Sequence, residues 1–173
     1  EKEAKLNRYD AQFLDLFDTV TSIVAYTEDE ETFQAYVQEF YEELKDYHEL
    51  YDIYHDYEGI ANLKTINDHA GKEPVKVDER IIGMLKEAVD MDEKTSGYMN
   101  VAMGSVLSIW HQYRTDGIYH PESAELPPME DLKAAAEHMD ISQVVIDEEA
   151  STVWLPDPDM SLDVGSIAKG YAT

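Results

Sequence analysis

The chain has 173 residues, 43% of them hydrophobic and 29% charged, a length that suits one domain and buries about 70% of its unfolded surface without staples. Thirteen Lys and Arg against 38 Asp and Glu leave a formal charge of −25, which excludes the cationic surface that nucleic-acid phosphates or anionic lipid headgroups require. No Cys is present, so disulfides, thiolate catalysis and Cys-ligated zinc or iron–sulfur centres are excluded as well.

Residues 1–12 read as an N-terminal tether, and residues 13–173 as one unit without repeats, low-complexity segments or an internal boundary. No apolar run approaches the roughly 18 residues of a membrane span. The first expected ordered element is a strand over 19–26, where Val20, Ser22 and Val24 face one side and Thr21, Ile23 and Ala25 the other. Thr27 and Glu30 have the spacing of a capping box. The helix it opens places Phe33, Tyr36, Val37, Phe40, Leu44, Tyr47 and Tyr51 on one apolar stripe, with Glu39, Glu42, Glu43 and Asp46 on the wet side. Residues 60–67 are polar and read as irregular, followed by a turn over 67–71.

A second helix is expected from the N-cap Asp78, carrying Ile81, Ile82, Leu85, Ala88 and Val89 inward and ending at Ser96-Gly97. Residues 121–128 look like a surface connection. After Pro127-Pro128 a third helix puts Leu132, Ala135, Ala136 and Met139 on one side, and 144–146 with 152–155 form a hairpin. Strands and helices alternate without a βαβ rhythm, so the fold class is α+β, with a mixed or antiparallel sheet and packed helices. The six His residues show no H-x-x-x-H or H-E-x-x-H spacing, and solvated or packed imidazoles are expected rather than a metal site. Trp110, beside His111 and Tyr113, suits a half-buried aromatic cluster better than a ring-stacking contact to a ligand.

The chemistry is concentrated in residues 160–173. A short strand through Leu162 ends at Asp163, Gly165-Ser166 permits a tight turn, and Ile167 opens a helix whose first turn holds Lys169. A helix start attracts anions, and a nearby Lys can reach a phosphate. Local physics leaves two readings open: a nucleotide site, or a capped helix with a solvated Lys. The pattern is neither a Walker A loop nor a G-x-G-x-x-G fingerprint.

The stretch Asp163-Val164-Gly165-Ser166-Ile167-Ala168-Lys169-Gly170-Tyr171-Ala172 resembles the D-L/V-G-G/S/A-I-A-K-G-Y/W-A signature of the ApbE family, the FAD:protein FMN transferases. Three further blocks fall in the family's order. Phe17-Asp18-Thr19 resembles its first-strand M-G-T. Residues 51–67 resemble its F-S-x-Y block that closes on an Asn. Gly97-Tyr98-Met99-Asn100 through Gly104, followed by Trp110, resembles its G-x-F/M-D/N-x-x-x-G block. Asp18 stands where the family has Gly, and Asn100 where Asp is commoner.

The resemblance implies a T-fold-like architecture whose C-terminal half lies outside these residues. It implies that Phe17, Tyr54, Tyr98, Met99, Asn100, Asp163 and Lys169 bind FAD, the substrate, and that Ser166 lends an oxygen to Mg²⁺. The activity it implies is transfer of FMN from FAD to a Ser or Thr hydroxyl of an acceptor flavoprotein, with release of AMP. The same site would serve as a Mg²⁺-dependent FAD pyrophosphatase or as a non-catalytic FAD-binding protein. The family's general base, a His in a later block, and further metal ligands are not among residues 1–173, so no catalytic residue is assigned and this chain alone is expected to be inactive. Many family members are extracytoplasmic and held to the membrane through a lipid anchor, which the resemblance implies here as well.

Overall fold

The structure, a computed structural model, describes residues 5–173; the first four residues of the expected tether lie outside them. The chain divides into two units, one reaching to Glu49 and joined by Ala172–Thr173, the other Leu50–Tyr171. No linker marks this division, because it falls within a continuous helix and leaves no change in composition to read.

In the first unit, β1 (Asn7–Phe13) and β2 (Thr21–Thr27) form an antiparallel ribbon in a register running from Asn7↔Thr27 to Phe13↔Thr21. Residues of the expected tether are therefore a strand. Their polar composition concealed it, since only Tyr9, Ala11 and Phe13 turn to the less exposed side. The helix α1 (Glu30–Tyr51) lays Phe33 against Tyr9, with ring centroids 5.4 Å apart, and Tyr41 edge-on to Phe13 at 5.0 Å. Leu16, Phe33, Val37 and Leu44 are buried.

Two expectations for α1 are corrected. Its first turn is capped by Asp29, whose carboxylate accepts the Thr32 N–H at 2.8 Å, while Thr27 is drawn the other way and donates to the Asp29 carbonyl. An Asp three residues ahead of the donor amide fills the N-cap role more directly than the Thr. Tyr36, expected inward, is exposed, because a single ribbon covers less than the full width of the stripe.

Leu50–Tyr171 holds the larger core. The expected irregular stretch contains α2 (Leu63–Asp68), opened by a reciprocal capping box between Asn62 and Thr65 and anchored by buried Leu63 and Ile66. Asp78 caps α3 (Glu79–Lys94), which buries Ile81, Ile82, Met84, Leu85 and Ala88. Val89 faces outward instead of joining them. The helix ends in a Schellman pattern: Ser96 N–H bonds the Glu93 carbonyl at 3.1 Å and Gly97 N–H bonds that of Asp92 at 2.9 Å. Ser96 itself takes the left-handed position, φ +55°, and Gly97 follows at +82°.

A helix the sequence did not announce, α4 (Gly104–Tyr119), comes next; its residues are mostly half-buried or exposed, so no clean apolar stripe betrays it. Residues 121–128 form an exposed connection apart from Pro127, and α5 (Met129–Ala135) passes into a 3₁₀ turn, Ala136–His138, leaving Ala136 exposed rather than inward. The expected hairpin forms as β4 (Val145–Asp147) against β5 (Thr152–Trp154), and β3 (Val75–Lys76) adds to the other side of β5. All pairings are antiparallel. Val153, on the central strand, is completely buried. The last element is α6 (Ala168–Ala172), and the whole is α+β with two small antiparallel sheets.

Candidate functional site

The segment preceding α6 is set by alternation. Met160, Leu162 and Val164 are buried at 2% exposure or less, so Asp163 between the last two is turned toward the surface. The segment is extended but joins no sheet, and its only pairing among the described residues is a parallel bridge between Ser161 and Met103. It is therefore not the strand expected from its pattern. Hydrogen bonds from distant residues replace a sheet. Asn67 grips Leu162 at both backbone groups, its Nδ2 donating to the carbonyl at 3.0 Å and its Oδ1 accepting the N–H at 2.8 Å. On the other side Asp163 N–H donates to the Val101 carbonyl at 2.8 Å and Gly104 N–H to that of Ser161 at 2.9 Å.

Beyond Asp163 the chain turns as expected. The Asp163 carboxylate accepts the Gly165 N–H at 2.9 Å, an Asx turn that favours this bend. Ile167 and Ala168 N–H groups both bond the Val164 carbonyl, which starts α6. Gly165, Ser166 and Lys169 are exposed, while Ala168 on the opposite side is buried. A carboxylate, a hydroxyl with its backbone oxygen, and an ammonium thus share one open turn. Tyr171, at the end of the signature, meets Tyr51 edge-on.

The structure brings the 97–104 block to this turn through the Val101 and Gly104 contacts. Within the block Tyr98 is almost fully exposed at 93%, and Met99 is half-buried with its N–H donating to Thr95 Oγ1 at 3.0 Å. Asn100 has both ends of its amide engaged: Oδ1 accepts the Ala102 N–H at 2.7 Å and Nδ2 donates to the Met139 carbonyl at 2.9 Å. An Asp in its place would lose that donor. The contacts make Asn100 a strut of the block, with lone-pair capacity still available.

Tyr54 belongs to the same unit. It is 56% exposed, and its hydroxyl lies 3.0 Å from His111 Nδ1 on α4. Its loop is organised by Asp52, a side chain only 5% exposed. The carboxylate accepts the N–H groups of Tyr54 (2.6 Å) and His55 (3.2 Å), pairs with His55 Nδ1 and accepts the Tyr57 hydroxyl, both at 2.8 Å. Burial pushes its pKa up, but these hydrogen bonds outweigh it and hold Asp52 below the usual carboxylate range. Trp110, next to His111, is 40% exposed on α4.

Phe17 lies in the first unit. It and Asp18 occupy consecutive left-handed positions, φ +54° and +50°, in a turn closed by the Thr19 N–H on the Leu16 carbonyl. Left-handed backbone of this kind favours Gly over a residue that carries a Cβ. The Phe17 N–H donates to His48 Nδ1 at 3.2 Å, and its ring meets that imidazole edge-on.

Reasoning from sequence missed Asn67, Gly104, Asp52 and His111 as parts of this site. Asn67, Gly104 and Asp52 stand in the resembling blocks, where the Asn that closes one block and the Gly that ends the other were the available signals. It also gave no hint of His138, Asp157 and Asp159, whose ligand atoms lie within 4.8 Å of one another. His138 Nδ1 and Asp157 Oδ2 are 2.7 Å apart. That bond raises the His138 pKa above its ordinary value and lowers that of Asp157.

Comparison with known proteins gives a consistent picture. The ApbE family model matches residues 17–173. The chain is 32% identical over 114 residues to the FAD:protein FMN transferase of Treponema pallidum, covering 63% of this chain and 30% of that protein. It is 26% identical over 145 residues to the FAD:protein FMN transferase of Vibrio cholerae, covering 83% and 39%. Among solved structures, the ApbE protein of Thermotoga maritima superposes with a TM-score of 0.76 at 25% identity, over 96% of this chain and 50% of that one. The flavin transferase ApbE of Vibrio cholerae gives 0.77 at 21% identity, over 96% and 51%, a likeness of fold. The chain thus spans 30–39% of the length of these curated relatives.

Proposed function

This chain belongs to the ApbE family, and from that premise we propose that the protein is a Mg²⁺-dependent FAD:protein FMN transferase. A Ser or Thr hydroxyl of an acceptor flavoprotein attacks the phosphorus on the riboflavin side of the FAD diphosphate. The bond from that phosphorus to the oxygen shared with AMP breaks, AMP leaves, and the hydroxyl proton passes to a base. FMN remains on the acceptor as a phosphodiester.

The observation that carries this reading is the open turn over 163–169, where Asp163, Ser166 and Lys169 are presented together and braced from behind by Asn67 and Gly104. A protein of charge −25 repels a diphosphate; two unit charges 4 Å apart interact by about 4 kcal/mol at an effective dielectric near 20. Lys169 supplies a cation for a phosphate oxygen, and Asp163 accepts hydrogen bonds from the nucleotide. Tyr54 and Tyr98, both exposed, are the aromatic side chains of this unit offered to the adenine or isoalloxazine ring, and Met99 and Asn100 line the block beside Asp163. The donor set also fits a hard cation. The Ser166 oxygen, with the Asp163 carboxylate three residues away, is the chemistry Mg²⁺ prefers, and when bound the ion would offset charge growing on the leaving phosphate.

The test is to incubate the full-length protein with FAD, Mg²⁺ and an acceptor bearing a Ser/Thr flavinylation site, and to weigh the acceptor by mass spectrometry. A gain of one FMN, lost when Mg²⁺ is chelated, is expected. FMN and AMP released without labelling would identify a FAD pyrophosphatase, and FAD retained unchanged would identify a non-catalytic FAD-binding protein; either outcome refutes the transferase. We place the protein outside the cytoplasm on a lipid anchor, a reading checked by fractionation. No described helix is long and apolar enough to cross a membrane.

A further inference from the structure

We propose that His111 is a positioning residue that presets the Tyr54 ring for the flavin nucleotide; this rests on the reading of Tyr54 as a nucleotide-stacking residue. A Tyr with more than half its surface open ordinarily samples several rotamers, and immobilising it is a cost that ligand binding must meet. Here the residue is held at both ends. At the backbone, the buried Asp52 carboxylate fixes the Tyr54 and His55 N–H groups, and buried Asn62 donates Nδ2 to the His55 carbonyl at 2.8 Å. At the tip, the Tyr54 hydroxyl and His111 Nδ1 are 3.0 Å apart, a hydrogen bond whose direction follows the imidazole tautomer. The two rings are tilted by 37° with centroids 6.2 Å apart, so His111 engages the hydroxyl and does not stack on the ring.

The partner's location gives this contact its meaning. His111 stands seven residues, about two turns, along α4 from Gly104, the residue that docks the helix start on Ser161. One rigid helix therefore connects the tip of Tyr54 to the segment that presents Asp163. His111 sets where the ring stands relative to that carboxylate, and neither residue is needed for the core, since Tyr54 is exposed and His111 is half-buried.

The test is FAD affinity, read from quenching of flavin fluorescence, with Tm measured alongside. His111→Phe and Tyr54→Phe are each expected to raise the FAD Kd about three- to tenfold, the range for one lost hydrogen bond, with Tm unchanged. The double variant should be no weaker than either single one, because both remove the same contact. His111→Asn, which keeps a polar group on a shorter side chain, should recover part of the loss. If His111→Phe leaves Kd within about twofold of the parent while Tyr54→Ala weakens it, or if the two Phe substitutions add, the positioning role is refuted and the reading of Tyr54 stands. If Tyr54→Ala leaves Kd unchanged, the reading of Tyr54 fails and the proposal falls with it.

Discussion

Replacing Gly104 by Ala tests whether the brace behind the signature turn is as tight as its geometry. A Cβ built on Gly104 would meet the Ser161 carbonyl oxygen in a forbidden contact, with the carbonyl carbon at 2.7 Å and Oγ at 2.8 Å. The obstacle is backbone, so no rotamer change relieves it. Either α4 or the 161–163 segment must shift, and the shift stretches the Gly104–Ser161 and Asp163–Val101 hydrogen bonds. Two such bonds at roughly 0.5–1.5 kcal/mol each, with overpacking strain of about 1–3 kcal/mol, set the expected loss at about 2–6 kcal/mol. Urea unfolding measures it. Gly170→Ala is the internal control, since a Cβ there meets nothing within 4 Å, and it is expected to be neutral or slightly stabilising. Because the displaced segment carries Asp163, FAD affinity should fall in Gly104→Ala and hold in Gly170→Ala. A Gly104→Ala protein within about 0.5 kcal/mol of the parent would refute the close approach, and with it the idea that the turn is preset.

Three further outcomes are expected. Asp18→Gly relieves a left-handed residue at φ +50° and should stabilise by up to about 1 kcal/mol, seen as a higher Tm; a lower Tm would show that the Asp18 side chain matters more than its backbone. Lys169→Ala should weaken FAD binding about tenfold, the scale of one charge-assisted contact, and Asp163→Ala more, since it also removes the acceptor that closes the turn; unchanged affinity in both takes these residues out of the site. The His138 pKa is raised first by its bond to Asp157, so the stability it contributes is fully present below its ordinary value of about 6.5. That stability is lost as pH rises through the raised one. Urea midpoints should therefore fall between slightly acidic and alkaline pH, and His138→Gln should flatten that change; an unaltered profile would refute the pairing.

The sequence by itself determined the local elements. Asp78 and the stripe from Ile81 to Ala88 predict α3 down to its first residue, and the hairpin of β4 and β5 is legible from its β-branched runs. The Asp163–Lys169 turn is legible too, because the Asx bond, the Gly and the first turn of α6 all lie within a few residues. Where a local signal was ambiguous it misled. Asn67 to Gly71 looks like a turn, yet the capping box at Asn62 and Thr65 makes its first part a helix. The polar β1 became a strand only because β2 offers it a register. Everything that braces the site was decided by tertiary structure: Asn67 on Leu162 across 95 residues, Tyr54 on His111 across 57 and Asn100 on Met139 across 39. A residue's cap, stripe and turn chemistry act over one or two turns of chain and can be read along it. A donor's distant partner is chosen only when packing brings the two together and excludes the water that would otherwise satisfy them.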